Sequence, residues 1–457
     1  MVIGAIICWC LVEIFYFFYI TFLVYPKINR KTDPQSPWFT SPDKLFHYID
    51  SVIDTLQTAG KFKFEDFVSG MFMKVDPTQI LSDNYDSFLA WALYYRRLND
   101  LTEEQLATVF ATRKRSETRF GYKFKEGYNY DIGNKHLRMN LEEVQYIHRP
   151  FALVLLFLCI DVYSNYKNLR LRGFEKREIR PDMAGKTSTY WIKQSPQSDT
   201  AKPPVMIIHG ITSGWNYYDI LIQKLAEDRT VILYNYDAIK MNSYCFDVHD
   251  SDRINSNIRT IMEQHGITEP IDFIGHSYGS FVINYVVQTS PEIIRKIALI
   301  DPVALTIILP KSPYELMYRA PVQFADHLLN YFVRSDLNIS HMLKRHFCWY
   351  NGAIPFHEIP PHIQTIIGIA TDDILIDFDT LNYLLDTVSS TASDHSDRTE
   401  TEPETRIPQF RKIIWDGLRH GDAIYNENSM KDIIHSLDSE WTPCTQNKPE
   451  HPDHTMG

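Results

Sequence analysis

Apolar residues open the chain in one block and recur later with two different periods. Residues 2–25 (VIGAIICWCLVEIFYFFYITFLVY) hold a single charge, Glu13. About twenty residues at ~1.5 Å rise cross a hydrocarbon core, so the block predicts a membrane-spanning helix. A cleavable signal carries basic residues ahead of its apolar run and small residues at its end. Here nothing basic precedes the run, and Phe and Tyr crowd its second half, so it reads as an uncleaved anchor. Lys27, Arg30 and Lys31 follow directly. By the positive-inside rule they keep the body cytosolic; the endoplasmic reticulum and the lipid-droplet surface are candidate membranes, between which the sequence does not choose. Glu13 is costly in lipid unless it is paired or protonated.

Residues 33–150 carry helical periodicity and no catalytic signature. Residues 85–97 (YDSFLAWALYYRR) predict an aromatic amphipathic helix, and Thr102 predicts the N-cap of another. Residues 151–160 (FALVLLFLCI) are too short to span a membrane and predict a buried helix, with shallow insertion at a lipid interface as the alternative. From residue 185 the text changes to short apolar strands alternating with helices. The strands fall at 190–192, 204–208, 230–234, 271–274, 297–300, 365–369 and 412–415, with helices at 254–265 and 278–288. That alternation predicts a mostly parallel sheet covered on both faces, an α/β fold. Residues 303–362 break it with helical text and read as an insertion. Residues 389–406 and the tail 438–457 are polar and predict disorder. The expected organisation is an anchor at 1–32, a helical region at 33–184, and an α/β domain at 185–437 followed by the tail.

Composition removes several functions. A net charge of −11 with no basic stripe argues against nucleic acid as a partner. The six cysteines form no CxxC pair and no Cys/His set with metal-ligand spacing, so neither metal nor cofactor is expected. One glycosylation sequon, Asn338-Ile339-Ser340, matters only if the body is lumenal.

The chemistry concentrates around residues 273–280 (FIGHSYGS), where Gly-x-Ser-x-Gly lies between an apolar strand and a helix. A strained strand–turn–helix elbow needs that context to expose a nucleophile, here Ser277. Its alcohol needs a base. His420 follows the last strand and is the expected one. His276 sits beside Ser277 but should point away from the site. The acid that orients the base should end the penultimate strand. Asp373, followed by Leu375, Ile376 and Asp377, fits best; Asp372 fits in part, and Asp301 is a third candidate. The oxyanion hole should combine the amides of Tyr278 and Ile211, with His209 holding the loop structurally.

Residues 208–210, 275–279 and the loop around His420 together resemble the α/β-hydrolase superfamily. More narrowly, residues 299–303 (LIDPV), 317–321 (MYRAP) and 345–350 (RHFCWY) look like a group of membrane-anchored α/β-hydrolases common in fungi. The resemblance implies an α/β-hydrolase fold with a helical lid at 303–362, and hydrolysis through a Ser277–His420–Asp373 triad and an acyl-enzyme. The doubled Asp372-Asp373 departs from the family pattern. An aromatic lid on a membrane-anchored body points to a lipid or other hydrophobic ester as substrate and to the bilayer as partner. An acyltransferase would use the same triad. A non-catalytic scaffold would lose part of it.

Overall fold

The computed structural model describes residues 2–30, 49–439 and no others, with short gaps at 51, 55, 58–59, 181–186, 196–201, 242–243, 355–358 and 395–409. An eight-stranded sheet forms the centre, in spatial order β1-β2-β4-β3-β5-β6-β7-β8. Its strands are β1 (Glu175–Glu178), β2 (Thr189–Lys193), β3 (Lys202–Ile208), β4 (Arg229–Tyr234), β5 (Ile271–His276), β6 (Ile294–Ile300), β7 (Gln364–Ala370) and β8 (Phe410–Trp415). From β4 to β8 the neighbours run parallel, whereas β1 and β2 are antiparallel additions. Successive residues of a strand face opposite ways. Met206 and Ile208 of β3 therefore enter one core, with Ile232, Ile297 and Ile367, while Val205 and Ile207 enter the other, with Val231, Ala298 and Ile366.

Helices cover both faces, as continuous apolar strands require. The anchor segment begins with α1 (Val2–Phe18) and continues through a wider turn to Ile28. In chain order follow α2 (Phe64–Met71), α3 (Ser82–Tyr94), α4 (Glu103–Phe120), α5 (Phe151–Ser164), α6 (Asp219–Leu225), α7 (Ser251–Gln264), α8 (Gly279–Thr289), α9 (Phe324–Leu329), α10 (Leu337–His341), α11 (Phe378–Asp394) and α12 (Glu427–Asp438). Helices α7, α8 and α11 pack on one face of the sheet, α6 and α12 on the other. Thr102 caps α4 as expected: its hydroxyl accepts from the Gln105 amide at 3.3 Å, and Gln105 reaches back to the Thr102 amide at 3.0 Å.

Helices α2 to α4 build a separate aromatic core around Phe64, Tyr85, Phe88 and Trp91. This unit braces the 303–362 insertion. The Tyr95 hydroxyl accepts from the Trp349 amide, the Tyr318 hydroxyl accepts from the Arg138 amide, and the Ser340 hydroxyl accepts from the Gln145 amide.

Three expectations change, and one sequence feature gains a structural account. The sheet begins at Glu175, before residue 185, because β1 (EKRE) is a fully exposed, charged edge with no apolar alternation to reveal it. Helix α11 runs to Asp394, into the stretch read as disordered from 389; residues 395–406 and 440–457 lie outside the described residues. Helix α5 is exposed along most of its length, not buried. Asn338 is buried, and its amide donates to the carbonyls of Asp237, Ala238 and Lys240 at 2.9–3.0 Å, so the folded chain cannot present it for glycosylation.

Candidate active site

The carboxyl ends of β5, β6, β7 and β8 converge on one point. After β5 the chain turns sharply, and Ser277 takes φ +52°, a left-handed conformation unusual for a non-glycine residue. Its amide donates to the Ile300 carbonyl at 2.9 Å. The two flanking glycines have a steric reason to be there: a Cβ at Gly275 would press on Ile283 and on the backbone of Gly279, and one at Gly279 would strike the Ile208 carbonyl. Ser280, one turn on, donates to the Ser277 carbonyl at 2.6 Å and accepts from the Ala304 amide at 3.2 Å, tying the elbow to the start of the insertion.

His420 lies in the loop after β8. Its Nε2 is 2.8 Å from Ser277 Oγ, and its Nδ1 is 2.7 Å from Asp373 Oδ2. The other Asp373 oxygen accepts from the amides of Leu375 and Ile376 at 2.7 and 2.9 Å. Asp373 is buried, whereas Asp372 is exposed and makes no side-chain contact with His420. Burial disfavours the charged imidazole, but the Asp373 carboxylate and its hydrogen bond, with Asp301 and Asp422, more than offset it and hold the His420 pKa above its ordinary 6.5.

Asp301 has a part that the sequence did not reveal. It is fully buried at the end of β6, with Oδ2 accepting from the Gly421 amide at 2.8 Å and Oδ1 from the Ala370 amide at 3.2 Å. It thus pins the His420 loop to the strand that precedes Asp373. Burial raises its pKa to about 6; His420 opposes the shift and Asp373 adds to it. Its place at the end of the apolar strand IALI was the available signal. Among the described residues, Asp301, Asp373 and His420 bring potential metal-ligand atoms within 4.8 Å of one another. Every one of those atoms already has a hydrogen-bond partner within the protein, so the described residues leave the cluster no free ligand atom.

The Ile211 and Tyr278 amides have no hydrogen-bond acceptor among the described residues, and both residues line the cavity that contains Ser277. His209 holds their loop: its Nδ1 donates to the Gly210 carbonyl at 2.7 Å, and its Nε2 accepts from the Tyr236 amide at 3.3 Å. His276 stays within the site wall. Its Nδ1 is 2.8 Å from the Tyr218 hydroxyl, which also accepts from the Gly210 amide at 2.8 Å, and its ring lies 5.8 Å from that of His420. Burial, with His420 and His209 adding, pushes its pKa well below 6.5, so it stays neutral. The expectation that it points away holds only with respect to the Ser277 hydroxyl.

The cavity over Ser277 measures about 280 Å³ and is walled by Met241, Phe281, Val303, Leu316, Leu329, Val333 and Leu375, several of them from the 303–362 insertion. The Tyr278 hydroxyl donates to the Met342 sulfur at 3.2 Å, so the insertion covers the elbow as a lid. A second cavity of about 130 Å³ lies between the N-terminal helices and the lid, around Phe64 and Phe88. It contains no serine–histidine pair. A second such pair does exist elsewhere, Ser188 Oγ and His249 Nε2 at 3.2 Å. There Nδ1 meets the Tyr234 hydroxyl, not a carboxylate, and burial, with Arg253 adding, lowers the His249 pKa to about 4. Among the described residues no acid orients that imidazole, and the pair lacks an elbow.

Residues 203–347 match the family model of the alpha/beta hydrolase fold, and the sheet order and elbow agree with it. The chain has an α/β-hydrolase fold. Similar solved structures include a bacterial membrane phospholipase A (12% identity, 63% of this chain and 94% of that one, TM-score 0.41). The esterase RhEst1 from Rhodococcus sp. ECU1013 (16%, 58% and 98%, 0.39) and a 2-hydroxy-6-oxo-6-phenylhexa-2,4-dienoate hydrolase from Rhodococcus sp. RHA1 (17%, 58% and 99%, 0.38) are further examples. No curated protein sequence matches the chain.

Proposed function

We propose that this α/β-hydrolase domain is a serine hydrolase that cleaves a hydrophobic acyl ester at a membrane. The hydrogen-bonded chain from Asp373 through His420 to Ser277, at the floor of a lidded apolar cavity, is the observation that carries the reading. Ser277 Oγ attacks the ester carbonyl carbon while His420 Nε2 takes its proton. Asp373 keeps Nδ1 protonated, so that Nε2 is free to accept, and stabilises the imidazolium that results. The Ile211 and Tyr278 amides bind the oxyanion. His420 then protonates the departing alkoxide, and an activated water cleaves the acyl-enzyme by the same route.

The anchor and the lid support the choice of substrate. Residues 2–28 form one helix with a window of mean hydropathy 2.1, and the basic Lys27 and Arg30 lie at its C-terminal end, which favours a cytosolic body. Purified full-length protein should hydrolyse long-chain lipid esters in detergent or vesicles. Product analysis with an added acceptor alcohol separates hydrolysis from acyl transfer. Retention in the pellet after high-pH carbonate tests the anchor. Inactivity towards every ester in a broad acyl-chain panel, by protein of native thermal stability, would overturn the reading.

A further inference from the structure

We propose that α5 and the outer face of lid helix α9 are immersed in the bilayer leaflet nearest the body, so that the Ser277 cavity opens towards lipid acyl chains. The inference rests on reading residues 2–28 as a membrane span. The carrying observation is at Glu13, the one acidic residue in that span and the one charge before its basic end at Lys27. Its carboxylate accepts from the amides of Phe151 at 2.7 Å and Ala152 at 3.0 Å, capping the first turn of α5. Trp9 and Tyr16 pack on the Phe151 ring with centroids 6.1 and 5.2 Å apart.

Depth follows from helix geometry. Glu13 lies about 17 Å along the helix from Val2, roughly half of a hydrocarbon core of about 30 Å. Whatever is bonded to Glu13 therefore lies within the membrane if the helix crosses it. The same holds for the body around Tyr16, whose hydroxyl donates to that of Tyr244 at 2.8 Å. The body is drawn into the leaflet and does not hang below it on a tether.

The surface of α5 agrees. Its sequence FALVLLFLCIDVYS is apolar all round, and Leu158, Val162 and Tyr163 are 56, 60 and 64% exposed. A helix of this kind is covered either by protein or by lipid. Asp161, its one charge, faces inward to Lys240 at 2.7 Å. The exposed Lys167 and Arg170 follow α5 just as Lys27 and Arg30 mark the end of the anchor, a placement suited to phosphate headgroups. The lid continues the patch: Phe157 meets Phe332 with centroids 5.6 Å apart, and Val322 and Phe324 are 77 and 78% exposed. Leu329 and Val333, on the same lid segment, line the Ser277 cavity. A lipid ester could then enter sideways without crossing water.

Cys159 is an exposed native probe on α5. In full-length protein with the other five cysteines replaced, reconstituted in phosphatidylcholine vesicles, a bimane label on Cys159 should be quenched by lipids brominated on their acyl chains and spared by aqueous iodide. A label at Lys431→Cys, an exposed position on α12, should show the reverse. Quenching of Cys159 by iodide, or by neither agent as when a second protein copy covers α5, would overturn the inference. Should the cysteine-depleted chain fail to fold, the unmodified chain should crosslink within residues 152–163 to a phosphatidylcholine with an acyl-chain diazirine; no crosslink there would also overturn it. Release by carbonate would remove the anchor and this inference together. A retained chain with iodide-quenched Cys159 would remove this inference alone.

Discussion

His420 is held between two buried carboxylates that do different work: Asp373 bonds its Nδ1 at 2.7 Å, and Asp301 grips the loop one residue on, through the Gly421 amide at 2.8 Å. The first sets the tautomer and charge of the imidazole. The second fixes where the imidazole sits.

The doubled acid gives a sharp comparison. Asp373→Asn keeps the shape but loses the charge and favours the wrong tautomer, so kcat should fall by about 10⁴-fold. Asp372→Asn changes an exposed side chain and should leave kcat within a few-fold. Parallel ester assays on the two variants, with circular dichroism to verify folding, test the assignment. Equal losses would contradict it.

The pH profile follows from His420. Only neutral imidazole can take the Ser277 proton, and the Asp373 contact, against burial, raises its pKa above 6.5. The acid limb of kcat/KM should therefore lie above pH 6.5. In Asp373→Asn the residual activity should show that limb at lower pH, because burial then acts with less opposition. Stability carries the matching sign: a raised folded-state pKa stabilises the fold below the unfolded value, and the contribution is lost as pH rises through the folded pKa. A wild-type acid limb well below 6.5 would contradict the proposed charge balance.

Asn338 should carry no glycan on either side of a membrane, because its amide serves three backbone carbonyls inside the protein. Asn338→Ala should cost about 1–3 kcal/mol by stripping those carbonyls of a buried donor. Glycosidase treatment of the native chain should leave its mobility unchanged, and thermal melts of the variant should shift down. A glycosidase-sensitive native band would show that the segment around Asn338 is open.

Much of this was legible in local text. The Gly-x-Ser-x-Gly elbow and the strand–helix alternation are local patterns that backbone geometry dictates, and His420, 143 residues from Ser277, is placed by its order after the last strand. Asp301 was undervalued because its role depends on Gly421, far along the chain and adjacent only across the sheet. The edge strand β1 was missed because exposed strands need no apolar alternation. Helix α5 was misjudged for a plain reason: an all-apolar helix looks the same in sequence whether protein or lipid covers it. The role of Glu13 was equally hidden, since its partners are backbone amides that no residue type announces.

The most direct test is covalent. A fluorophosphonate reacts with a serine only when a neighbouring base has activated its hydroxyl. Full-length protein should label stoichiometrically, peptide mass spectrometry should place the adduct on Ser277, and Ser277→Ala should abolish labelling and all but a trace of ester hydrolysis while keeping its melting temperature. Ester hydrolysis undiminished in a well-folded Ser277→Ala protein, or an adduct on another serine such as Ser188, would contradict the account.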